Sequence, residues 1–406
     1  MKKILALAYE YFPTENANTR IIRNVCALLA ERCGVDLVTV QRPGTEAGPS
    51  GDGKVRVIRV PGYTFHKAQR TGKVTPAVFA RMAAAKVQGK LRHDETVLIQ
   101  QRMFEHEIRK AVKAADYDAM VSFSAPFLTH CCASRIAAES GVPWIAVCFD
   151  PFFSNRIYDP GRMDARKKLE EEVMAPAAKV ILTFPTDRDY LRRGVAFREK
   201  IIGIGLPGIV RRAEDAPGEE HEGCVCSFFG SMYKDIRDPG AAIALMERVS
   251  DEIETRFIGH VDDAEAGDFF PEGCRCKYLG EKSGAELAEQ YAEADVLMNI
   301  GNSVGNQMPS KIFEYISTGK PILNIVKSPE CPTLRALEKY PARLNLTEEE
   351  IQADPDGCAE KVKEFCRAQK GKRVPADEVM HLYADHTYAY FAGVLERALE
   401  KGKGNH

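Results

Sequence analysis

The fold is decided by the stretch MPSKIFEYISTGKPIL (308–323), together with the strand-like run DVLMNIG (295–301) before it. Ser310 is a helix N-cap by residue type, Gly319 ends the predicted helix KIFEYIST, and Pro321 begins the next strand. The loop between strand and helix contains glycine and asparagine, which allow tight turns. Strand, loop, helix and strand in this order predict one unit of a parallel α/β sheet.

Short runs rich in β-branched residues recur along both halves of the chain, with helix-like segments between them. This alternation is typical of parallel sheets covered by helices. The stretch 205–223 is rich in glycine, proline and charge, and it reads as a linker between two such sheets. The predicted strands are 4–9, 35–40, 55–60, 119–124, 143–149 and 179–184 before the linker, and 224–230, 254–260, 276–280, 295–301, 321–326 and 342–346 after it.

We therefore predict an α/β protein with two Rossmann-like, doubly wound domains. The first is expected to cover 1–205 and the second 206–379. An amphipathic pattern at 381–399 predicts one last helix, within 380–400, that docks on the first domain.

Composition places the chain among folded globular proteins. Its 406 residues are 45% hydrophobic, with a formal net charge of −2. No apolar run approaches the roughly 18 residues of a membrane-spanning helix, and the N-terminal run 4–9 is too short for a signal peptide. We expect a cytoplasmic protein, either free or peripheral at the inner face of the membrane.

The twelve cysteines are expected to be mostly buried thiols, because several lie in apolar segments. The pairs Cys224/Cys226 and Cys274/Cys276 form a CxC…CxC pattern that could hold zinc. Structural zinc sites favour wider spacing, so ordinary core or loop cysteines are the favoured interpretation.

The predicted helix after residue 310 has the chemistry of a phosphate site. Its N-terminus follows the carboxyl end of a strand, where phosphates bind in open α/β sheets. Lys311 adds a positive charge, and Glu314, on the same helix face, can accept hydrogen bonds from a ribose diol. The alternative is structural: Ser310 merely caps, Lys311 is solvated and Glu314 is a surface carboxylate.

The stretch MPSKIFEYISTGKPIL resembles the donor-binding signature of glycosyltransferase family 4 (group 1), of the bacterial polysaccharide type, and the similarity extends along nearly the whole chain. The resemblance implies the GT-B fold, in which two Rossmann-like domains face each other across a cleft. It also implies a retaining, metal-independent transfer without a cofactor. The implied partners are a UDP- or GDP-linked sugar and a glycan or polyprenyl-linked acceptor.

On this resemblance, the donor site lies in the second half. FFGSMYKDIRDP (228–239) is similar to the family's phosphate loop, while Asn306 replaces a family glutamate near the donor sugar and Ser231 replaces an arginine. Arg237 and Lys311 would stabilise the departing diphosphate. Other implied donor contacts are Gly230 and Lys234 at the phosphates, Tyr278 and Leu279 at the base, and Pro309, Ser310 and Glu314 in the signature.

The acceptor side is implied in the first half. YEYFPTENANTR (9–20) is similar to the family's first loop, so Asn16 and Asn18 would face the acceptor. Arg20 would either serve the diphosphate or cap its own surroundings. In SFSAPFLTHCCASRIAAESGVPWIAVCFDPFF (122–153), Asp150 would contact acceptor or donor sugar, or cap a loop.

Three other positions on this side are implied or altered. His130 is either a cleft residue or an interior histidine with a satisfied partner. Glu171 matches an acidic helix of the family and is a further cleft candidate. The better-known family histidine falls on Phe149, so its positioning role is absent.

The functional hypothesis is a retaining hexosyltransferase in cell-surface polysaccharide biosynthesis. The alternatives are a catalytically silent nucleotide-sugar-binding protein and a nucleotide-sugar epimerase, because folds do not fix functions. Between Lys54 and Lys113 there are fourteen Lys/Arg and four Asp/Glu. The segment 76–93 in this stretch is either an interfacial amphipathic helix or a solvated face. Nucleic acid is not expected, since no aromatic platform accompanies the charge.

Overall fold

The computed structural model describes residues 1–42, 44–46, 48–61, 98–124, 126–155, 160–184, 190–212, 223–303 and 308–401. The chain divides into two compact units, Met1–Pro207 with Tyr388–His406, and Gly208–Thr387. Each unit is built on its own largely parallel sheet. The predicted α/β class with two doubly wound domains is confirmed.

The first unit contains an eight-stranded sheet in the order β3-β4-β2-β1-β5-β6-β7-β8. All neighbours are parallel except β3, which pairs antiparallel with β4 at the edge. The strands are β1 (Lys3–Ala8), β2 (Gly34–Val40), β3 (Gly48–Asp52), β4 (Val55–Val60), β5 (Ala119–Phe123), β6 (Trp144–Cys148), β7 (Lys179–Leu182) and β8 (Ile201–Gly203). The helices described before the second unit are α1 (Ala17–Leu29), α2 (Leu98–Ala111), α3 (Leu128–Ser140) and α4 (Met163–Met174), with short 3-10 helices at Ala114–Asp116, Pro160–Arg162 and Arg198–Lys200.

The second unit contains a six-stranded, all-parallel sheet in the order β11-β10-β9-β12-β13-β14. Its strands are β9 (Cys224–Phe229), β10 (Ile253–Ile258), β11 (Lys277–Tyr278), β12 (Val296–Ile300), β13 (Ile322–Val326) and β14 (Arg343–Thr347). Its helices are α5 (Gly240–Glu247), α6 (Asp263–Phe269), α7 (Gly284–Glu293), α8 (Lys311–Thr318), α9 (Pro332–Ala336), α10 (Glu348–Ala353), α11 (Pro355–Gln369) and α12 (Ala376–Leu382), with a 3-10 helix at Ala384–His386.

Both sheets reverse their winding direction at one internal pair of strands. The first pair is β1 and β5, and the second is β9 and β12. All residues of β5, β6, β9, β12 and β13 are buried, because helices cover both faces of the parallel strands. In open α/β sheets, ligands bind beyond the carboxyl ends of the strands at such switch points. The topology therefore marks two candidate sites.

The last helix, α13 (Tyr388–Lys401), belongs to the first unit. It packs against α1, and Arg32 pairs with Glu396 at 3.0 Å. The prediction of one helix over 381–399 is wrong, because α12 ends at Leu382 and α13 begins at Tyr388. The carbonyl of His386 accepts the N–H groups of Gly208 and Ile209, so it is not available to a continuous helix.

The strand β3 is not among the strands predicted from the sequence. Its residues GPSGD contain glycine and proline, which read as a turn. Proline is nevertheless tolerated in an edge strand, and β3 lies at the edge of its sheet. In the described part of the chain, no helix is both long and apolar enough to span a bilayer.

Candidate functional site

The switch point of the second sheet is built around the Arg237 guanidinium. Its Nε and Nη2 donate to Asn302 Oδ1 at 3.0 and 2.8 Å, and Nη1 donates to the Ser231 carbonyl at 3.2 Å. The loop after β9 thus holds the cation against the loop after β12. Desolvation lowers the pKa of Arg237, although a guanidinium remains charged at any physiological pH. No carboxylate in the described ranges pairs with it, so a half-buried positive charge is left for an anion.

Glycines bring the backbone close beside this cation. Gly259, after β10, has φ +144°, and a Cβ there would lie 2.0 Å from the Gly230 carbonyl oxygen. A Cβ on Gly230 would lie 3.3 Å from Arg237 Nη1. Side chains at these positions would crowd both the loop contact and the guanidinium, which is the usual reason for glycine beside a phosphate.

Helix α8 is anchored to the same edge by Tyr315. The Tyr315 hydroxyl accepts from the Phe229 N–H at 2.9 Å and donates to the Phe229 carbonyl at 3.1 Å. One turn earlier, Lys311 Nζ lies 2.8 Å from Glu314 Oε2 and 5.8 Å from the centre of the Tyr291 ring. The two predicted side chains therefore share a face and contact each other, as their spacing requires.

The switch point of the first sheet has a cavity of about 340 Å³. Aromatic rings and two carboxylates form much of its wall. Glu10 Oε1 is held by Arg42 at 2.7 Å, whereas no described residue makes a hydrogen bond or ion pair with the half-buried Asp150 carboxylate. Burial raises the pKa of Asp150. The lining includes Tyr9, Glu10, Ser124, Phe127, Asp150 and Phe152.

Comparison with known proteins identifies the architecture. No family model and no curated protein matches the sequence. Among solved structures, sucrose-phosphate synthase of Thermosynechococcus elongatus has a TM-score of 0.68 at 14% identity, over 99% of this chain and 100% of that one. HepE of Anabaena, solved with UDP and glucose, gives 0.60 at 12% identity, and WaaG, a glycosyltransferase involved in lipopolysaccharide biosynthesis, gives 0.59 at 13%. For both, the match covers 99% of this chain and 100% of the other.

The fold is that of GT-B glycosyltransferases. At these identities the similarity shows the architecture alone. The GT-B assignment agrees with the strand order of both sheets and with the two switch points.

Four other residues were predicted to bind the donor: Lys234, Asn306, Pro309 and Ser310. Ser310 makes no capping hydrogen bond with its side chain, because its backbone is already helical, so its predicted capping role is wrong. Lys234 is exposed and lies 4.0 Å from Asp268, on the side of α6. Pro309 is buried at the start of α8, and Asn306 lies outside the described residues.

The predicted base-contacting segment runs along the end of β10. The Tyr278 hydroxyl donates to the Gly259 carbonyl at 3.0 Å, and its ring stacks on Phe270. The Leu279 N–H donates to the Phe257 carbonyl, and the Leu279 side chain is half-buried. The segment is thus fixed beside the contact between Gly259 and Gly230.

Lys320 is a buried residue that the sequence reasoning missed. Its ammonium donates to the carbonyls of Tyr291, Ala292 and Ala294, which lie at the C-terminal end of α7. A cation is favourable at that end of a helix dipole. This bond fixes α7 and its Tyr291 ring, against which Phe229 stacks at 3.9 Å.

Two neighbouring glutamates of α4 have different surroundings, and Glu171 is the one that was predicted as a cleft residue. Glu171 accepts from Lys167 Nζ at 2.7 Å and from the Ala196 N–H at 2.9 Å, which ties α4 to a neighbouring loop. Its neighbour Glu170 is buried and accepts from the Phe153 N–H and the Tyr190 hydroxyl. Burial raises the pKa of Glu170 to about 8. Glu170 therefore holds the loop that carries Asp150.

His130 is an interior histidine and not a cleft residue. It has no exposed surface, and its Nδ1 lies 2.7 Å from Ser122 Oγ, which accepts from Trp144 Nε1. Its Nε2 lies 3.5 Å from Cys148 Sγ. Desolvation lowers the pKa of His130 to about 3, so the ring is neutral. It supports Cys148, which lines the cavity.

The first loop is organised by Asn16. Asn16 caps α1 through a reciprocal pair with Thr19, and its amide lies 3.3 Å from Glu10 Oε2. Asn18 is half-buried and Arg20 is exposed in the first turn of α1. Asn16 thus contacts Glu10, which lines the cavity, and Asn16 is not among the described lining residues.

The predicted membrane-facing stretch 54–113 and its segment 76–93 fall largely or wholly outside the described residues, which omit 62–97. Among the cations of this stretch that are described, Arg109 pairs with Glu105 and Glu139.

Proposed function

We propose that this chain is a retaining family 4 glycosyltransferase that moves a hexose from a UDP- or GDP-sugar to a glycan or polyprenyl-linked acceptor in cell-surface polysaccharide biosynthesis. The observation that carries the proposal is the Arg237 cation, held by Asn302 and the Ser231 carbonyl beside a glycine-only backbone contact at the switch point. An uncompensated charge in that position suits a diphosphate.

Donor binding would use the second unit. Arg237, Lys311 and the N–H groups at the start of α8 would receive the diphosphate, and Glu314 would accept from the ribose hydroxyls while it orients Lys311. Fixed positive groups in a half-buried site stabilise the charge that develops on a leaving group.

The reaction would break the bond between the anomeric carbon and the phosphate oxygen, with the electron pair leaving on the nucleoside diphosphate. The acceptor oxygen would form the new bond on the same face of the sugar, and its proton would pass to the departing phosphate oxygen. No protein group has to act as a strong base, and no metal is required in this scheme.

The cavity of the first unit supplies the chemistry of a sugar site. Aromatic walls suit the apolar faces of a pyranose ring, and carboxylates accept hydrogen bonds from hydroxyl groups. Asp150 is the side chain we assign to a substrate hydroxyl. Its raised pKa reflects the desolvation that such a bond would relieve.

A nucleotide-sugar-binding protein without transfer activity is the second candidate. Phe149, at the place of a family histidine, is 4% exposed and stacks on Phe123, so it offers no polar group there. This departure favours binding without turnover.

One experiment separates these functions. The full chain is incubated with each UDP- and GDP-sugar, with and without glycan and polyprenyl-linked acceptors, and released nucleoside diphosphate is measured. We expect acceptor-dependent release from one donor, with the anomeric configuration retained in the product by NMR. Tight binding without release across the panel would establish the silent binder. Isomerised nucleotide-sugar without acceptor would establish an epimerase.

A further inference from the structure

A cluster of one carboxylate and two thiols lies in the second unit, on the elements that precede β11. Glu247 is at the end of α5, and Cys274 and Cys276 lie on the segment that leads into β11. One carboxylate oxygen and the two sulfur atoms all lie within 4.8 Å of one another. In a tetrahedral zinc site two sulfurs lie about 3.8 Å apart, so small side-chain rotations would complete the set.

The backbone holds this cluster in place before any ion binds. Glu247 Oε1 accepts the N–H groups of Arg275 and Cys276 at 2.7 and 2.9 Å. The Cys274 thiol donates to the same oxygen at 3.3 Å. Gly273, with φ +87°, makes the turn that directs the chain back toward α5. The two cysteines therefore flank the carboxylate as a consequence of its own hydrogen bonds.

The charge of the cluster fits a divalent cation. Arg275 lies against Glu247, with its Nε 3.4 Å from Oε2 and its Nη2 2.7 Å from the Glu247 carbonyl. Two thiolates and one carboxylate with one guanidinium sum to −2, which one divalent ion cancels. Thiolates with a single carboxylate favour zinc over the hard cations calcium and magnesium.

A groove of about 450 Å³ gives the cluster access to solvent. Glu247 and Cys274 line it together with two further carboxylates, Asp268 and Glu272. The groove provides an entry path and room for the water that would complete a tetrahedral set. Acidic groups at its wall raise the local concentration of cations.

We propose that Glu247, Cys274 and Cys276 form a zinc-binding site with one solvent-accessible coordination position. The ion would clip the end of α5 to the segment before β11, at a place distinct from the Arg237 site. Binding forms two zinc–sulfur bonds and one zinc–oxygen bond and releases the two thiol protons to solvent. The site does not depend on the proposed transferase function.

The proton release gives a signature that a surface carboxylate site lacks. Each cysteine thiol loses its proton when its sulfur becomes a zinc ligand. Zinc affinity should therefore rise with pH, by up to about a hundredfold per unit while both protons are displaced.

The test uses the full chain, reduced and freed of metal with a chelator. Zinc affinity is measured by competition with a chromophoric chelator from pH 6 to 8, and cobalt is added to detect a thiolate charge-transfer band. We expect one tight ion per chain, the band, and the pH dependence. Cys274→Ser should lower the affinity at least about tenfold and remove most of the band. Glu247→Gln should weaken binding and keep the band.

Cys33→Ser is the matched control, because Cys33 is a half-buried cysteine of the other unit. It should bind zinc as the native chain does. Far-UV circular dichroism of metal-free Cys274→Ser confirms that the variant is folded. Unchanged zinc affinity in both Cys274→Ser and Glu247→Gln, or an equal loss in Cys33→Ser, overturns the proposal.

Discussion

The two switch points share a strand order and differ in charge. At β9 and β12, a guanidinium held by an amide and a carbonyl lies beside backbone that only glycine permits. At β1 and β5, aromatic rings surround an Asp150 carboxylate that no described residue pairs with. The same topology therefore presents a cation in one unit and a carboxylate in the other. The fold supplies the place of a site, and the side chains after each strand decide which ligand it suits.

The largest expected effect is that of Arg237→Ala. Loss of a fixed cation at the diphosphate should lower turnover about 10²- to 10³-fold, measured as nucleoside diphosphate release. Arg237→Lys should recover only part of it, since an ammonium cannot donate to Asn302 and Ser231 in the same planar geometry. Full activity in Arg237→Ala would place the donor phosphates elsewhere.

The carboxylate side should respond differently. Asp150→Asn removes a charged acceptor, so transfer should fall about 10- to 100-fold, while nucleotide affinity measured by calorimetry stays unchanged. Glu171→Gln is the matched control on the same unit, because the partners of Glu171 among the described residues are Lys167 and the Ala196 N–H. If Asp150→Asn weakens nucleotide binding as strongly as Arg237→Ala does, the assignment of nucleotide binding to the second unit alone is wrong.

The glycine contact can be tested by stability. In Gly259→Ala, a methyl group 2.0 Å from the Gly230 carbonyl oxygen forces the two loops apart. The free energy of unfolding should fall by about 1–3 kcal/mol in a denaturant titration, and nucleotide affinity should fall with it. Gly267→Ala on helix α6 is the control, since no described atom lies within 4 Å of the added carbon and alanine favours helix. Equal stability of the two variants would contradict the contact.

The last expected effect concerns Glu170, which holds the loop that carries Asp150. Because burial raises the pKa of Glu170 from 4.5 to about 8, the folded chain keeps a proton that the unfolded chain releases between these values. The free energy of unfolding should therefore fall as pH rises through this window, by at most about 1.4 kcal/mol per unit. Glu170→Gln should flatten that dependence.

The reporter for this measurement is the fluorescence of Trp144, the single tryptophan, which is buried in the first unit. Because Trp144 belongs to that unit, its signal follows the unfolding of the unit that contains Glu170. An unchanged slope in Glu170→Gln would show that other groups cause the pH dependence.

The helix after β12 and the strand at each switch point were predictable because their signals are local. Each of the twelve strands predicted from apolar runs between turn residues corresponds to a strand of the structure. The spacing of Lys311 and Glu314 correctly predicted that both side chains lie on one helix face. The predicted N-cap at Ser310 is wrong, and the reason is also local. Residue type predicts a cap, but its helical backbone prevents the capping bond.

On the acceptor side, the burial of each polar side chain is set by contacts between residues far apart in the chain. Glu170 and Glu171 are equivalent acidic residues of one helix, and only packing of α4 against the Phe153 loop and Tyr190 buries the first. Likewise, His130 becomes an interior residue because Ser122, Trp144 and Cys148 close around it.

The sequence by itself determined the two sheets, the place of the donor helix and the residue types beside it, because hydrophobic periodicity and turn chemistry act over a few neighbouring residues. Only the tertiary structure decided which polar groups form bonds within the fold and which remain available to a ligand. The Lys320 ammonium donates to carbonyls at the end of α7, whereas Arg237 remains available at a strand end. Burial and partners depend on elements distant in sequence, and no local pattern encodes them.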